Sequence, residues 1–328
     1  MGEENNMSKL IMMVGVSGSG KSYYANKIAE KENGVVFSSD ALRAELYGDE
    51  NDQSHNNEVF NELHRRIRNY LREGKVVIYD ATNLSMKRRM AFLQELKHIP
   101  CYKKAVVVLC PYSEALAHNS KRKRQVPAAV IEKHIKQFQI PMKFEGWDNV
   151  VFANSASYDC SYKLDELMKE CEIPHDNPHH SLNIADHMRQ CEKEALKRNK
   201  KADVVVVSAA KYHDLGKPFC KEFKNCKGEP SEVAHYYNHH NVSAYFFLCS
   251  MSTSFIEGIE KIESRGEDLG KSIENGFWEV VGEIAFLINY HMEAFLRNEN
   301  GYKKFEELIG EERAERLRVL HECDLAAH

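Results

Sequence analysis

The sequence predicts two domains of different class: a doubly wound parallel α/β sheet over residues 1–160 and an all-α domain over 161–328. Three observations carry this. Short apolar runs alternate with helical patterns in the first half, which is the signature of a parallel sheet with crossover helices. Long helical periodicities then recur at Ile184–Lys197, His239–Ser250, Phe277–His291 and Glu311–Ala327, with nothing that alternates like a strand. Eleven of the sixteen histidines fall from His175 onward, so the second half is expected to hold a chemistry of its own.

Leu10–Val14 is short and apolar, suited to a buried first strand, and leads directly into Gly15-Val-Ser-Gly-Ser-Gly-Lys-Ser22. That stretch fits the pattern G-x-x-x-x-G-K-[ST], whose backbone N–H groups cradle phosphates. Gly15, Ser17, Gly18, Ser19 and Gly20 supply the loop, Lys21 reaches the terminal phosphates, and the Ser22 hydroxyl ligates Mg²⁺. A helix over 23–30 would then set the phosphates at its N-terminus. ATP with Mg²⁺ is the expected ligand.

Gly34–Phe37 reads as the second strand, and either Ser39 or Asp40 is suited to cap the helix behind it. Asp40 and Arg43 then share one face, a turn apart. His55–Arg72 places Val59, Leu63, Ile67 and Leu71 on one buried stripe. Lys75–Tyr79 is a strand closing on Asp80, the position of a Walker-B-type carboxylate, and Ala105–Leu109 is another. The basic run His118–Pro127, with Arg122 at its centre, reads either as a solvated face or as a helical lid whose arginine stabilises a transferring phosphoryl group. Val150–Phe152 is the last strand expected.

Four of these motifs, in this order, resemble the kinase domain of the bacteriophage polynucleotide 5′-kinase family: the P-loop, Asp40-x-x-Arg43, Asp80-Ala-Thr-Asn-Leu84 with Arg88-Arg89 behind it, and Asn119-Ser-Lys-Arg122 before Val126-Pro127. The resemblance covers residues 10–152. It implies that Asp40 is the general base for a 5′-hydroxyl and that Arg43 holds the 3′-phosphate of the terminal nucleotide. By the same resemblance Asp80 organises the acceptor site, and Arg122 is the lid arginine on the ATP phosphates.

Ile173–Pro178 is a Pro-rich connection, which places the domain boundary between about 160 and 175. Val204–Val207 is β-branched but runs unbroken into Ser208–His213, and a buried helix is therefore predicted there. At its end stands Tyr212-His-Asp-Leu-Gly-Lys217. Adjacent His and Asp can reach one metal from a helix end, and the glycine would let the chain turn away.

The order of His187, His213-Asp214, His239, His291 and Asp324, with Lys217 following as His-Asp-x-Gly-Lys, resembles the HD superfamily of metal-dependent phosphohydrolases. Asn177-Pro-His-His-Ser-Leu-Asn-Ile-Ala-Asp-His187 and His235–Ala244 resemble segments of HD domains found beside nucleotidyltransferases. The resemblance implies His187, His213, Asp214 and Asp324 as core ligands, with His239 and His291 for a second ion and His235 beside them. One or two divalent ions (Mn²⁺, Mg²⁺, Ni²⁺ or similar) are implied, and Lys217 would stabilise negative charge on phosphoryl oxygens.

The chain is then read as an α/β P-loop kinase domain followed by an all-α HD domain, together a bifunctional end-healing enzyme. The kinase would phosphorylate polynucleotide 5′-OH ends. The HD domain would remove a 2′,3′-cyclic, 2′- or 3′-phosphate, on RNA in preference to DNA, and a separate ligase partner is compatible with this. Two other readings stay open: a nucleoside or nucleotide kinase fused to a nucleotide phosphohydrolase, and a kinase with a non-catalytic regulatory HD module. The net charge of −4 divides into +4 for residues 1–160 (23 Lys+Arg against 19 Asp+Glu) and −8 for the rest (22 against 30). No apolar run approaches the ~20 residues that span a bilayer. With no signal-peptide pattern and no C-x-x-C pair among the nine cysteines, a cytoplasmic protein with reduced thiols and no membrane contact is expected.

Overall fold

A computed structural model describes residues 7–155, 163–178, 181–198, 203–263 and 271–327. The chain divides into two compact units, Met1–His134 with Pro141–Ser155, and Ile135–Ile140 with Ala156–His328. The short stretch 135–140 thus belongs to the second unit, which no composition shift announces.

In the first unit five parallel strands, β1 (Ser8–Val14), β2 (Val35–Ser38), β3 (Val76–Asp80), β4 (Cys101–Leu109) and β5 (Asn149–Asn154), stand in the order β2-β3-β1-β4-β5. Helices α1 (Lys21–Glu32), α2 (Ser39–Tyr47), α3 (Asn56–Arg72), α4 (Met86–Glu95), α5 (Tyr112–Ser120) and α6 (Ala128–Lys136) connect them. Leu10–Val14 is almost wholly buried, as a central parallel strand covered on both faces must be. The stripe Val59, Leu63, Ile67 and Leu71 is buried on α3 as its fourfold spacing predicts. The cap of α2 is Ser38, whose Oγ accepts from the Ala41 N–H at 3.4 Å, not Ser39 or Asp40. Asp40 is therefore left in the first turn with its carboxylate not used as the cap.

Arg89 is the largest fully buried side chain of the described residues. Its guanidinium forks onto the buried Glu145 at 2.6 and 2.8 Å and donates to the Asn83 and Leu84 carbonyls at 3.0 and 2.9 Å. This pins the loop after β3 to the turn before β5, so Arg89 is structural. Arg89→Leu should cost about 3–5 kcal/mol, because it strands a buried carboxylate. Adding Glu145→Gln should recover part of the loss, which thermal unfolding of the two variants would reveal.

The second unit holds α7 (Leu164–Glu170), α8 (Ile184–Arg198), α9 (Val204–Tyr212), α10 (Lys217–Cys220), α11 (His239–Glu263), α12 (Lys271–Tyr290), α13 (Glu293–Leu296), α14 (Glu299–Ile309) and α15 (Glu311–Ala326). The β-branched run opens α9, and the Asp203 carboxylate accepts from the Val205 N–H at 2.9 Å to cap it. One expectation fails: the unit is not all-α. A hairpin of β6 (Glu222–Lys224) and β7 (Pro230–His235) interrupts it. β6 has only three residues, too few to show a period of two. Residues 135–140 join this unit through buried amides. The Ile140 N–H donates to Asn289 Oδ1 at 2.8 Å, Asn289 Nδ2 donates to Asn241 Oδ1 at 2.8 Å, and the Phe138 ring meets Tyr245 edge-on at 5.1 Å. No helix is long and apolar enough to cross a membrane, among the described residues. The eight cysteines described are free thiols, and all but Cys226 are buried.

Candidate functional sites

β1 delivers the P-loop to the C-terminal edge of the sheet. Gly18 and Gly20 hold φ of 81° and 82°, the left-handed region that glycine enters without strain. A Cβ on Gly18 would stand 2.3 Å from the Ala115 carbonyl oxygen, so the loop is also sterically confined to glycine there. The Ser19 hydroxyl is buried without a hydrogen-bond partner, and α1 begins at Lys21. An unpaired buried hydroxyl at a helix N-terminus fits a phosphate ligand. Ser22 Oγ donates to Asp80 Oδ2 at 2.7 Å, which joins the two oxygen ligands a nucleotide-bound Mg²⁺ requires. Asp80 therefore stands against the P-loop. Lys21 Nζ donates to the Val16 carbonyl at 2.6 Å, and burial lowers its pKa to about 8 against the pull of Asp80.

Across the cleft Asp40 Oδ1 accepts from Arg43 at 2.6 Å, the one-turn pairing their spacing predicts. Arg43 is buried and also donates to Asn56 Oδ1 at 2.8 Å. The basic run 118–127 contributes a residue the sequence reading did not single out. Arg124 donates to Asp40 Oδ2 at 2.7 Å and to Asn51 Oδ1 at 2.7 Å, whereas Arg122 is exposed with its charge felt at Lys21. Two histidines close on the P-loop backbone. His118 Nδ1 lies 3.1 Å from the Gly18 carbonyl, and His134 Nδ1 accepts from the Ser17 N–H at 3.4 Å. No motif signalled Arg124, His118 or His134. They are found only by their places in space.

In the second unit six predicted side chains converge. Asp214 is the hub, with His239 Nε2 at 3.1 Å, His213 Nε2 at 3.4 Å, His187 Nε2 at 3.7 Å and His291 Nε2 at 3.9 Å from its oxygens. Asp324 Oδ1 lies 2.9 Å from His187 Nε2 and 3.4 Å from His213 Nε2. His187, His213 and Asp214 form one group able to hold an ion, and Asp214, His239 and His291 form another. The local structure aims them. His213, His239 and His291 each put Nδ1 at 2.8–2.9 Å from the carbonyl three residues earlier, Ala210, Tyr236 and Ile288. A carbonyl only accepts, so each Nδ1 carries a proton and each Nε2 faces the cluster.

The donor set fits a divalent cation. His239 Nε2 and His291 Nε2 face one another at 3.3 Å, and His213 Nε2 and Asp214 Oδ1 are buried without a hydrogen-bond partner. Burial opposes charge on His213, yet Asp214 and Asp324 raise its pKa to about 10. The carboxylates thus demand a positive charge at this place. Burial, then His213 and His239, holds His291 well below the usual histidine range and leaves its lone pair available. Gly216 lies in the turn after α9 but needs no left-handed backbone, since its φ is −83°. It is needed for closeness: a Cβ there would meet the His239 carbonyl oxygen at 2.5 Å and the Ser243 nitrogen at 2.7 Å. Lys217 Nζ reaches Asp214 Oδ2 at 2.7 Å. His235 stands apart from the cluster, bonded to Ser231 Oγ at 3.0 Å and stacked on Tyr237. His179 and His180, in the stretch before His187, lie outside the described residues.

Residues 10–141 match the family model described as an AAA domain. No curated protein matches the chain. Among solved structures, a chain of the Pnkp1/Rnl/Hen1 RNA repair complex is similar at 25 % identity and a TM-score of 0.36, over 42 % of this chain and 47 % of that one. A gluconokinase from Sinorhizobium meliloti 1021 is similar at 18 % identity and a TM-score of 0.34, over 46 % of this chain and 85 % of that one. A sugar kinase from Janibacter sp. HTCC2649 is similar at 16 % and 0.35, over 45 % and 85 %. The first unit is a parallel α/β sheet carrying a P-loop, and the match to the AAA-domain model lies almost wholly within it.

Proposed function

We propose that the chain is a bifunctional nucleic-acid end-healing enzyme, with an ATP-dependent 5′-hydroxyl kinase in the first unit and a metal-dependent phosphohydrolase of the HD type in the second. One observation carries the reading: a chain whose P-loop Lys21 feels the charge of Asp40, itself paired with Arg43, also gathers His187, His213, Asp214, His239, His291 and Asp324 into one cluster. Making a 5′-phosphate and clearing a terminal phosphate are the two steps that ready a broken strand for joining. A separate ligase is the partner that such a role would call for.

In the kinase, Asp40 accepts the proton of the attacking hydroxyl as its oxygen bonds to the γ-phosphorus and the bridge to ADP breaks. Arg43 holds an acceptor phosphate, while Lys21 and Arg122 neutralise charge on the transferring group. Arg124 must leave Asp40 Oδ2 before that oxygen can take a proton, so an acceptor phosphate that draws Arg124 away would free the base. In the second unit, His187, His213, Asp214, His239, His291 and Asp324 would hold one or two divalent ions. Such ions supply a nucleophile near neutral pH by acidifying water. Lys217 donates to a phosphoryl oxygen.

A panel of end-labelled RNA and DNA oligonucleotides tests this. ATP label should enter 5′-OH RNA ends, and 2′,3′-cyclic, 2′- or 3′-phosphate ends should be cleared in the presence of divalent ions. Label entering free nucleosides alone would move the kinase to small-molecule chemistry. Metal uptake without hydrolysis of any member would make the second unit a binding module.

A further inference from the structure

We propose that His175 is a positioning residue for the second site, holding the Lys217 ammonium in place to donate to a phosphoryl oxygen of the substrate. The proposal rests on the phosphohydrolase reading of this unit and adds a residue that no motif supplied. His175 lies between α7 and α8 and is buried. The segment is fixed by the bridge between Pro174 and Asn183 and by the Ile184 N–H donating to the Ile173 carbonyl at 3.2 Å. His175 Nδ1 lies 2.9 Å from the Leu182 carbonyl, which can only accept, so the ring carries its proton on Nδ1. The opposite nitrogen, Nε2, then presents a lone pair, and Lys217 Nζ stands 3.2 Å from it.

The tautomer makes this contact directional. An imidazole protonated on Nε2 would set an N–H against the ammonium and repel it. The Tyr236 hydroxyl adds a second fixing point by donating to the His175 carbonyl, and the Tyr236 ring lies 5.5 Å from Lys217 Nζ, facing the cation. Lys217 has three N–H donors. One goes to Asp214 Oδ2 at 2.7 Å and one to His175, which leaves the third for a phosphoryl oxygen. Without His175 the ammonium keeps only Asp214 as a hydrogen-bond partner and can swing fully onto that carboxylate, away from the substrate. An outer partner of this kind is worth roughly 10–100-fold in rate.

A double-mutant cycle decides between positioning and mere packing. With a 2′,3′-cyclic-phosphate-ended oligonucleotide, His175→Leu should lower kcat about 10–100-fold with little change in KM. His175→Gln, which keeps an acceptor, should restore much of the rate. In a Lys217→Met background His175→Leu should have no further effect, and divalent-ion content should equal wild type throughout. Equal losses in both backgrounds overturn the proposal. A second measurement needs no variant: ¹⁵N spectra of the wild-type imidazole should show Nδ1–H with Nε2 unprotonated, and an Nε2–H tautomer overturns the proposal as well. Absence of hydrolysis by wild type with any end phosphate would fell the phosphohydrolase reading and this inference together, whereas hydrolysis with an additive cycle fells the inference alone.

Discussion

Asp214→Asn should strip the second unit of its divalent ions and lower hydrolysis of terminal phosphates by about 10³-fold, leaving 5′-kinase activity at the wild-type level. The magnitude follows from the several kcal/mol that metal-ion catalysis supplies, each 1.36 kcal/mol being tenfold. Asp214 is the one carboxylate common to both groups able to hold an ion, so its loss acts on both. Asn keeps the shape but removes the charge. Its amide would also meet Lys217, leaving a buried ammonium without its anion. Metal analysis on the purified variant, with thermal unfolding as control, separates lost ligation from lost fold. A folded Asp214→Asn protein with full metal content and full hydrolysis would remove Asp214 from the site.

The two halves were unequally legible, for physical reasons. The α/β unit announces itself because a central parallel strand must be apolar throughout, as Leu10–Val14 is, and because a phosphate loop needs glycine where Gly18 and Gly20 stand. The histidine cluster was legible as a resemblance, and its six residues meet in space although 137 positions separate His187 from Asp324. What sequence could not supply is whatever depends on tertiary approach. Arg124 reaches Asp40 across 84 positions, and nothing in the run of four basic residues Lys121–Arg124 says which one does so. Gly216 reads as a turn residue from spacing, yet its reason is the His239 carbonyl of another helix. The hairpin Glu222–His235 escaped because one of its strands is too short for a period, and 135–140 escaped because its partners, Tyr245 and the buried Asn241 and Asn289, lie about a hundred or more positions away.

Lys21→Ala should lower 5′-phosphorylation by about 10²–10³-fold, the usual cost of removing one fixed donor to a transition-state oxygen, and leave hydrolysis of 3′-end phosphates unchanged. Burial makes this lysine sensitive to pH as well. Its ammonium titrates at about 8 in the nucleotide-free protein, lowered from 10.5 by burial with Asp80 opposing. Only the ammonium form pairs with the ATP phosphates, and the bound polyanion would raise its pKa again. ATP affinity should therefore be level below pH 8 and fall as pH rises beyond it, by up to tenfold per unit while the free lysine loses its proton first. Calorimetric titration of ATP·Mg²⁺ from pH 7 to 9.5 measures this. A flat profile would mean that Lys21 keeps its proton without nucleotide, and loss of both activities in a folded Lys21→Ala protein would contradict two independent sites. Asp214 and Asp324 are held ionised well below the carboxylate range, so neither carboxylate changes charge across that window.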